Sequence, residues 1–580
     1  MPDAVQEPYV RDAYQALESG DLPLVETLCR AGLAVHPRNG DCFHLLGVVA
    51  RRLGRGFEAM AFFREAIHRA PERAEFANNL AALLSSLGLH DEALAACDAA
   101  LGLHPDFVYL HMNRGVALHA LGREPDAAAA FRRATELDCG QVQAHFGLGC
   151  ALEASGQWEQ AEAAFRATLA LSANHAEAYN LLGRVLSAQG RQDEAAQAFQ
   201  QAVTANPGYA VAYNNLGSVL LKLDRAQDAL VALLRSAELE PDNWQTQNNL
   251  SVVYQELAQT RAAIIHGRRA VALAPDNVDA HWCLSLQLLQ DGQWQDGWTE
   301  YEWRRKLPDQ NPLGDVPRWN GEPCGDRLLL ISAEQGHGDT LQFLRYLPLV
   351  QQRCGNVVLR VQTALVGLVR ANYAVPVIGY DEPVPTPALT IPLMSLPLVL
   401  DVLAPLATGP YLRPDAQLVD KWKALLGDRK GLRTGIAWRG SPTHKRDSFR
   451  SVGLEVLQPL LQLPGVDFVP LHPDLREDER AALERFSIPA MLPGTADFAH
   501  TAALVECLDL VISVDTSMIH LAGALGRETW LSLPFSCDWR WGSTGEDSVW
   551  YSGLRLFRQS QAGDWSAVIA GQVAALRERL

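Results

Sequence analysis

Small residues recur at a fixed interval through the first half of this chain, and that interval restricts its fold more than any other feature. Gly47, Ala81, Gly115, Gly149, Gly183, Gly217, Ser251 and Ser285 stand 34 residues apart, and Ala13 extends the series back by one unit. A second series runs through Ala59, Ala93, Ala127, Ala161, Ala195, Ala229 and Ala263. A third holds Pro37, Pro71, Pro105, Pro207, Pro241 and Pro275, interrupted by Cys139 and Ala173. The unit implied is a helix pair. Small residues let its two helices approach, Phe63, Phe131, Phe165 and Phe199 fill the gap to the next unit, and a proline ends the second helix.

About nine such units in phase resemble the tetratricopeptide repeat, over residues 10–305. The resemblance implies an all-α solenoid whose first helices line a concave, peptide-binding groove. Asn79, Asn113, Asn215 and Asn249 share one repeat position, and Asn78, Asn180, Asn214 and Asn248 share the one before it. Stacked amides can hold an extended polypeptide by its main chain. A similar asparagine ladder belongs to the repeat arm of O-GlcNAc transferases. The alternative is that the amides are solvated or bond to one another between repeats. Leu45, Gly147 and Leu181 interrupt the ladder.

The 580 residues call for several domains, and a net charge of −17 argues against a general nucleic-acid binder. The ten cysteines form no Cys-x-x-Cys pair and read as small buried residues in a reducing compartment. Met1-Pro2-Asp3-Ala4 opens no signal-peptide pattern. The most apolar run, Leu389 to Leu406, is broken by Pro392, Pro397, Asp401 and Pro405. The expectation is a cytoplasmic protein without a membrane span or bound cofactor.

Past Gly297 the period gives way to Trp298-Thr299-Glu300-Tyr301-Glu302-Trp303, a last helix with an aromatic packing face, and then to a proline-rich linker at 306–325. Buried strands are predicted at 327–332, 356–361, 375–378 and 388–391, with helices between them. Gly336-His337-Gly338-Asp339 follows the first strand. This loop looks like the Gly-Asp turn that opens the first domain of heptosyltransferases. The resemblance implies that Asp339 is the general base, with Gly338 beside the donor. His337 is a rival base, as a histidine lies near the acceptor in O-GlcNAc transferases. The residues alone also allow a helix N-cap at Asp339.

From about residue 430 the alternation repeats. The strand Arg433–Trp438 leads into Arg439-Gly440-Ser441-Pro442-Thr443-His444-Lys445-Arg446-Asp447-Ser448-Phe449-Arg450-Ser451, a cation-rich glycine loop suited to a diphosphate or, alternatively, to solvent. Leu510–Val514 reads as a buried strand, and Asp515-Thr516-Ser517 opens a helix that stops at Gly526. The helix N-terminus there suits a phosphate. This segment resembles the Asp-Thr/Ser-x-x-x-His-Leu-Ala-x-Ala-Leu stretch of heptosyltransferases, which holds the donor's phosphates. By that resemblance Asp515, Thr516, Ser517, Met518 and His520 join Trp438, Gly440, Ser441, Lys445 and Arg446 as donor-binding positions. Trp438, Trp539 and Trp541 could stack on a nucleobase or pack in a core.

The tail Cys537–Gln559, together with the repeats, looks like bacterial repeat-bearing glycosyltransferases that include flagellin-modifying enzymes. The resemblance implies a GT-B architecture, with Rossmann-like halves at 326–425 and 430–580. The activity it implies is inverting transfer of a sugar from a nucleotide sugar to a Ser or Thr hydroxyl of a polypeptide held by the repeats. Flagellin is the acceptor it suggests. No Asp-x-Asp pair occurs, which favours metal-free stabilisation of the leaving group. The competing readings are a non-catalytic repeat scaffold with a degenerate nucleotide-binding domain, and transfer to a lipid or glycan.

Overall fold

A computed structural model describes residues 7–307, 316–406, 409–441, 447–489 and 497–580. It divides into two compact units, Met1–Pro241 and Asp242–Leu580. The first unit holds fourteen helices among its described residues, from Pro8–Glu18 to Ala226–Leu239, each packed on the next in the chain. This is a tetratricopeptide-repeat solenoid, as the period predicts.

The period's small residues sit where the helices of a pair touch. A Cβ on Gly149 would lie 2.5 Å from the Phe165 ring, and one on Gly183 would lie 2.7 Å from Phe199. The phenylalanines thus fill the space over their own pair's glycine. Phe131 also reaches the next unit, where a Cβ on Gly147 would meet it at 2.6 Å.

The second unit begins with two more helix pairs, Trp244–Glu256 with Thr260–Leu273 and Val278–Gln290 with Trp294–Tyr301. Two parallel sheets follow. The first comprises β1 (Leu329–Ser332), β2 (Val357–Val361), β3 (Val377–Gly379) and β4 (Leu389–Pro392), in the order β3-β2-β1-β4. The second comprises β5 (Leu432–Ala437), β6 (Val466–Pro470), β7 (Leu510–Val514), β8 (Thr529–Leu533) and β9 (Leu554–Arg558), in the order β6-β5-β7-β8-β9. All the pairings between these strands are parallel, and helices link most successive strands, so this region is an α/β domain.

The aromatic helix Trp294–Tyr301 and the turn after it join these sheets to the repeat just before them. Trp298 is buried against Phe343 and Trp539, with ring centroids 5.8 and 5.5 Å away, and its indole N–H donates to Leu403 O at 2.8 Å. Arg304, 1 % exposed, donates to Glu334 and Ser395 of the first sheet's loops. One expectation fails here. Cys324 and Cys354 form a disulfide that ties the segment before β1 to the end of the Leu347–Arg353 helix, so two of the ten cysteines are not free thiols. A 30-residue separation with no local pattern left that pairing invisible in sequence.

The turn inside each helix pair carries a second regularity. Gly20, Gly54, Gly88, Gly122, Gly156, Gly190 and Gly292 all have positive φ, but the same register holds Asp224 at φ 61° and Ala258 at φ 55°. Alanine pays a steric penalty in the left-handed region that glycine does not. Ala258→Gly should therefore stabilise the second unit by about 1 kcal/mol, read as a higher urea midpoint with an unchanged slope.

Candidate functional site

Parallel sheets offer ligand sites at the carboxyl ends of their strands, where the strand order reverses. In the first sheet the reversal lies between β1 and β4, and the Gly336–Asp339 loop follows β1. In the second it lies between β5 and β7, which are followed by the Trp438–Ser441 turn and by Asp515-Thr516. These loops meet within the second unit. The His337–Phe343 helix packs on the Ser517–Ala524 helix, and Gly338 lies in the contact. A Cβ there would stand 2.7 Å from the His520 ring and 3.5 Å from Ser517 Cα, so only glycine fits without displacing a buried ring.

Asp339 faces this junction in two roles. One carboxylate oxygen accepts the Gly336 N–H at 2.7 Å, so Asp339 braces the helix start from its first turn, and the N-cap position the bare sequence allowed it belongs to Gly336. The other is ion-paired with Arg540. Burial pushes the Asp339 carboxyl up; the guanidinium and the Gly336 amide pull back without restoring the ordinary value. Arg540 is 7 % exposed and also donates to Asp538 at 2.9 Å and Gln342 at 2.6 Å. Burial alone would lower its pKa, but Asp538 and Asp339 hold it above the usual arginine value. His337 tilts against Phe498 at 5.1 Å, and burial lowers its pKa, so its imidazole is neutral at pH 7.

Across the junction, Thr516 caps the Ser517–Ala524 helix, its hydroxyl accepting the Met518 N–H at 3.2 Å. Ser517 and Met518, half-buried, form the first turn. Asp515 titrates at about 6. Burial is the largest cause and Asp538 adds to it, while Trp541, Arg450 and Arg540 oppose it. His520 is buried, its Nδ1 lies 2.9 Å from the Tyr551 hydroxyl, and its ring stacks on Trp541 at 5.5 Å. Burial and then Arg540 and Arg345 keep that ring neutral.

The cation-rich loop after β5 is placed in part. Gly440 donates to Ser451 Oγ at 3.3 Å, and Ser441 is exposed beside it. Lys445 and Arg446 lie outside the described residues. Sequence reasoning counted Arg450 among the loop's cations but missed that it bridges the two turns. Arg450 packs over Gly440, donates to Asp447 at 3.1 Å and donates to Asp515 O at 2.9 Å. Arg540 was missed as well. Its only signal was Asp538, a turn-capping residue, next to a Trp-Arg-Trp run.

Trp438 needs correction as a donor-stacking residue. It is 3 % exposed, its indole N–H donates to Glu479 at 3.0 Å, and its ring stands edge-on to His472 at 4.3 Å. A ring buried and bonded in this way is not free to stack on a base. The asparagines are likewise engaged. Asn113 donates to Asn78 Oδ1 at 2.8 Å, Asn215 donates to Asn180 Oδ1 at 2.9 Å, and Asn79 contacts His44 at 2.6 Å. Bonding between repeats is thus what three of the four do, and Asn249 is half-buried. Among the described residues, no group of three His, Cys, Asp or Glu side chains is placed to hold a metal ion.

The Trp438 cluster makes acid sensitivity predictable. Burial would raise Glu479, but Arg439, the Arg476 N–H and Trp438 hold it at about 2, and burial followed by Arg439 holds His472 at about 4. Both folded values lie below the unfolded ones, so the unfolded chain binds more protons as pH falls. The cluster's contribution to stability should be complete above pH ~6.5 and decline towards pH ~2. The glutamate's share is on the order of 3 kcal/mol. Glu479→Gln should flatten the lower part of that decline in denaturation midpoints taken across the range; an unchanged slope would contradict the assignment.

The family model for the tetratricopeptide repeat matches residues 44–106, 78–141, 146–210 and 193–247. Protein FlbA of Caulobacter vibrioides is 29 % identical over 322 residues, which is 50 % of this chain and 54 % of FlbA. The chain thus spans about half the length of that curated relative. Among solved structures, YrrB, described as a TPR protein with an unusual peptide-binding site, is 27 % identical at a TM-score of 0.29, over 32 % of this chain and 95 % of its own. The Cut9–Hcn1 structure from the APC/C is 18 % identical at a TM-score of 0.35, over 50 % of this chain and 57 % of that one.

Proposed function

We propose that the second unit is a glycosyltransferase of the GT-B type that moves a sugar from a nucleotide sugar to a hydroxyl of a polypeptide. The supporting observation is the junction itself. Two parallel sheets bring together the loops at their order reversals, so that Asp339 and Arg540 stand beside the Asp515-Thr516 turn and Arg450. The first unit and the repeats that follow it serve as the polypeptide-holding arm, and flagellin is the acceptor that the resemblance suggests.

In this reading the donor's diphosphate lies at the start of the Ser517–Ala524 helix, where the helix dipole favours an anion. Arg450 stabilises charge on the leaving group. Asp339 accepts the proton of the Ser or Thr hydroxyl as its oxygen bonds to the anomeric carbon. The bond from that carbon to the phosphate oxygen breaks, and its electrons leave with the nucleoside diphosphate. A single displacement inverts the anomeric centre. Arg540 lowers the basicity of Asp339 but fixes its direction, and neutral His337 is positioned as the alternative proton acceptor.

The test begins with donor hydrolysis and transfer by the full chain over a panel of nucleotide sugars. Asp339→Asn should reduce transfer by 10²–10⁴-fold, on the order of a lost general base, with donor binding unchanged. Arg450→Ala should instead weaken donor binding. If the wild-type chain neither hydrolyses nor transfers any donor, the scaffold reading replaces this one.

Arg540 gives an independent check. Removing a cation from beside a carboxylate raises its pKa, commonly by ~1 unit or more. Arg540→Gln should therefore shift the acid limb of kcat/KM upward by at least ~1 pH unit, whereas a purely structural role for Arg540 would lower the rate equally at every pH.

A further inference from the structure

The turn that leads into Asp339 is held from outside itself. Gln335 sits at φ 61°, in the left-handed region, where a residue with a Cβ bears a steric cost that glycine does not. Such a conformation persists only where the surrounding structure holds it, and residues held this way gather at functional sites. The side chain of Gln335 is engaged elsewhere, its amide nitrogen donating to the Tyr301 hydroxyl at 2.9 Å.

The holding group is Gln362, which follows β2 and is 9 % exposed. Its amide nitrogen donates to Gln335 O at 3.2 Å and to Gly336 O at 3.3 Å. Its amide oxygen accepts the Thr340 hydroxyl at 2.8 Å. The bond to Gln335 O reaches the candidate base through a single peptide unit. In a trans peptide the carbonyl and the following N–H point in opposite directions, and the chain has no cis peptide bond among its described residues. The Gln335 carbonyl therefore faces Gln362, while the Gly336 N–H of the same plane faces away and donates to Asp339 at 2.7 Å. Turned over, the unit would set a carbonyl oxygen against the carboxylate and an N–H against the Gln362 amide nitrogen. Gln362 and Asp339 thus fix the plane from its two edges, and Arg540 pairs with the other carboxylate oxygen. Both ends of the Gln362 amide are in use. A carboxylate could serve Thr340 but not the two carbonyls, and an apolar side chain could serve neither.

We propose that Gln362 is a positioning residue for the candidate base: by donating to Gln335 O it sets the direction of the Gly336 N–H, and through it that of the Asp339 carboxylate. What Asp339 then does rests on the transferase reading; the holding of the turn does not.

The experiment compares the wild-type chain with two variants. Gln362→Met keeps the side chain's length and has no N–H; Gln362→Glu keeps the acceptor for Thr340 and loses the donor. Hydrogen exchange read by mass spectrometry follows the turn directly. Exchange over residues 335–340 should quicken about tenfold in both variants, the scale of one lost hydrogen bond to a buried group, while β1 and β2 exchange as in wild type. Gln362→Met adds no charge, so it also serves for kinetics. The Gly336 N–H holds the Asp339 carboxyl down, and its loss of order should move the acid limb of kcat/KM up by roughly half a pH unit or more. The KM for the nucleotide sugar should not change. Wild-type exchange in Gln362→Glu would give the role to the Thr340 bond and overturn the proposal. Faster exchange spread evenly over β1 and β2, or an acid limb that Gln362→Met leaves in place, would overturn it as well. Faster exchange confined to the turn, with no transfer by the wild-type chain from any nucleotide sugar, would uphold the hold of Gln362 on the turn and sink the transferase reading.

Discussion

The pairing of Asp339 with Arg540 is the contact on which the rest of the site depends, because it joins the first sheet's loop to the second sheet's tail. Taking two charges out of water costs more than an ordinary ion pair returns, unless other hydrogen bonds complete the set. Here they do: Gly336 donates to the carboxylate, and Asp538 and Gln342 accept from the guanidinium. The return is in placement rather than stability. Arg540 is held from three directions, so the carboxylate it holds can occupy only one position. The close contact of Gly338 with His520 fixes the same junction sterically, and a Cβ at that position would separate what the ion pair draws together.

The topology explains why these loops, among all those of the two sheets, meet. In each half the first strand is interior, with the chain winding to one side of it and then to the other. The loops leaving β1 and β5 therefore open into the crevice where the winding reverses. Arg450 crosses the second crevice, from the turn after β5 to the carbonyl of Asp515 after β7. The charge there is unbalanced. Asp339, Asp515 and Asp538 surround Arg540, and Asp515, raised first by burial and then by Asp538, is pushed up to about 6. Perturbed groups of this kind gather where binding or proton transfer occurs.

Periodicity and apolar runs carried most of the architecture. A 34-residue interval repeated along the chain leaves little freedom for anything but helix pairs, and five apolar or small residues before Asp515 can hardly be other than a buried strand. The Gly-Asp and Asp-Thr-Ser loops were legible because turn chemistry is local. The groups that sequence reading missed act at a distance. Arg540 stands 201 residues from Asp339, and Arg450 stands 65 from Asp515, with nothing in either neighbourhood to announce the partner. Trp438 misled for a related reason. A tryptophan at a strand's end has two faces, and only the location of Glu479, 41 residues on, decides which way its N–H turns.

The asparagines show how pairing and binding can coexist. An amide side chain has two N–H donors and a carbonyl oxygen with two lone pairs. Asn113 and Asn215 each direct their amide nitrogen to an asparagine in the preceding repeat, which leaves capacity on the same group for another ligand. The inter-repeat bond also removes rotamer freedom before any ligand arrives. Ordering side chains at an interface costs roughly 0.5–1.5 kcal/mol apiece, so amides already ordered by the fold bind at lower cost than solvated ones.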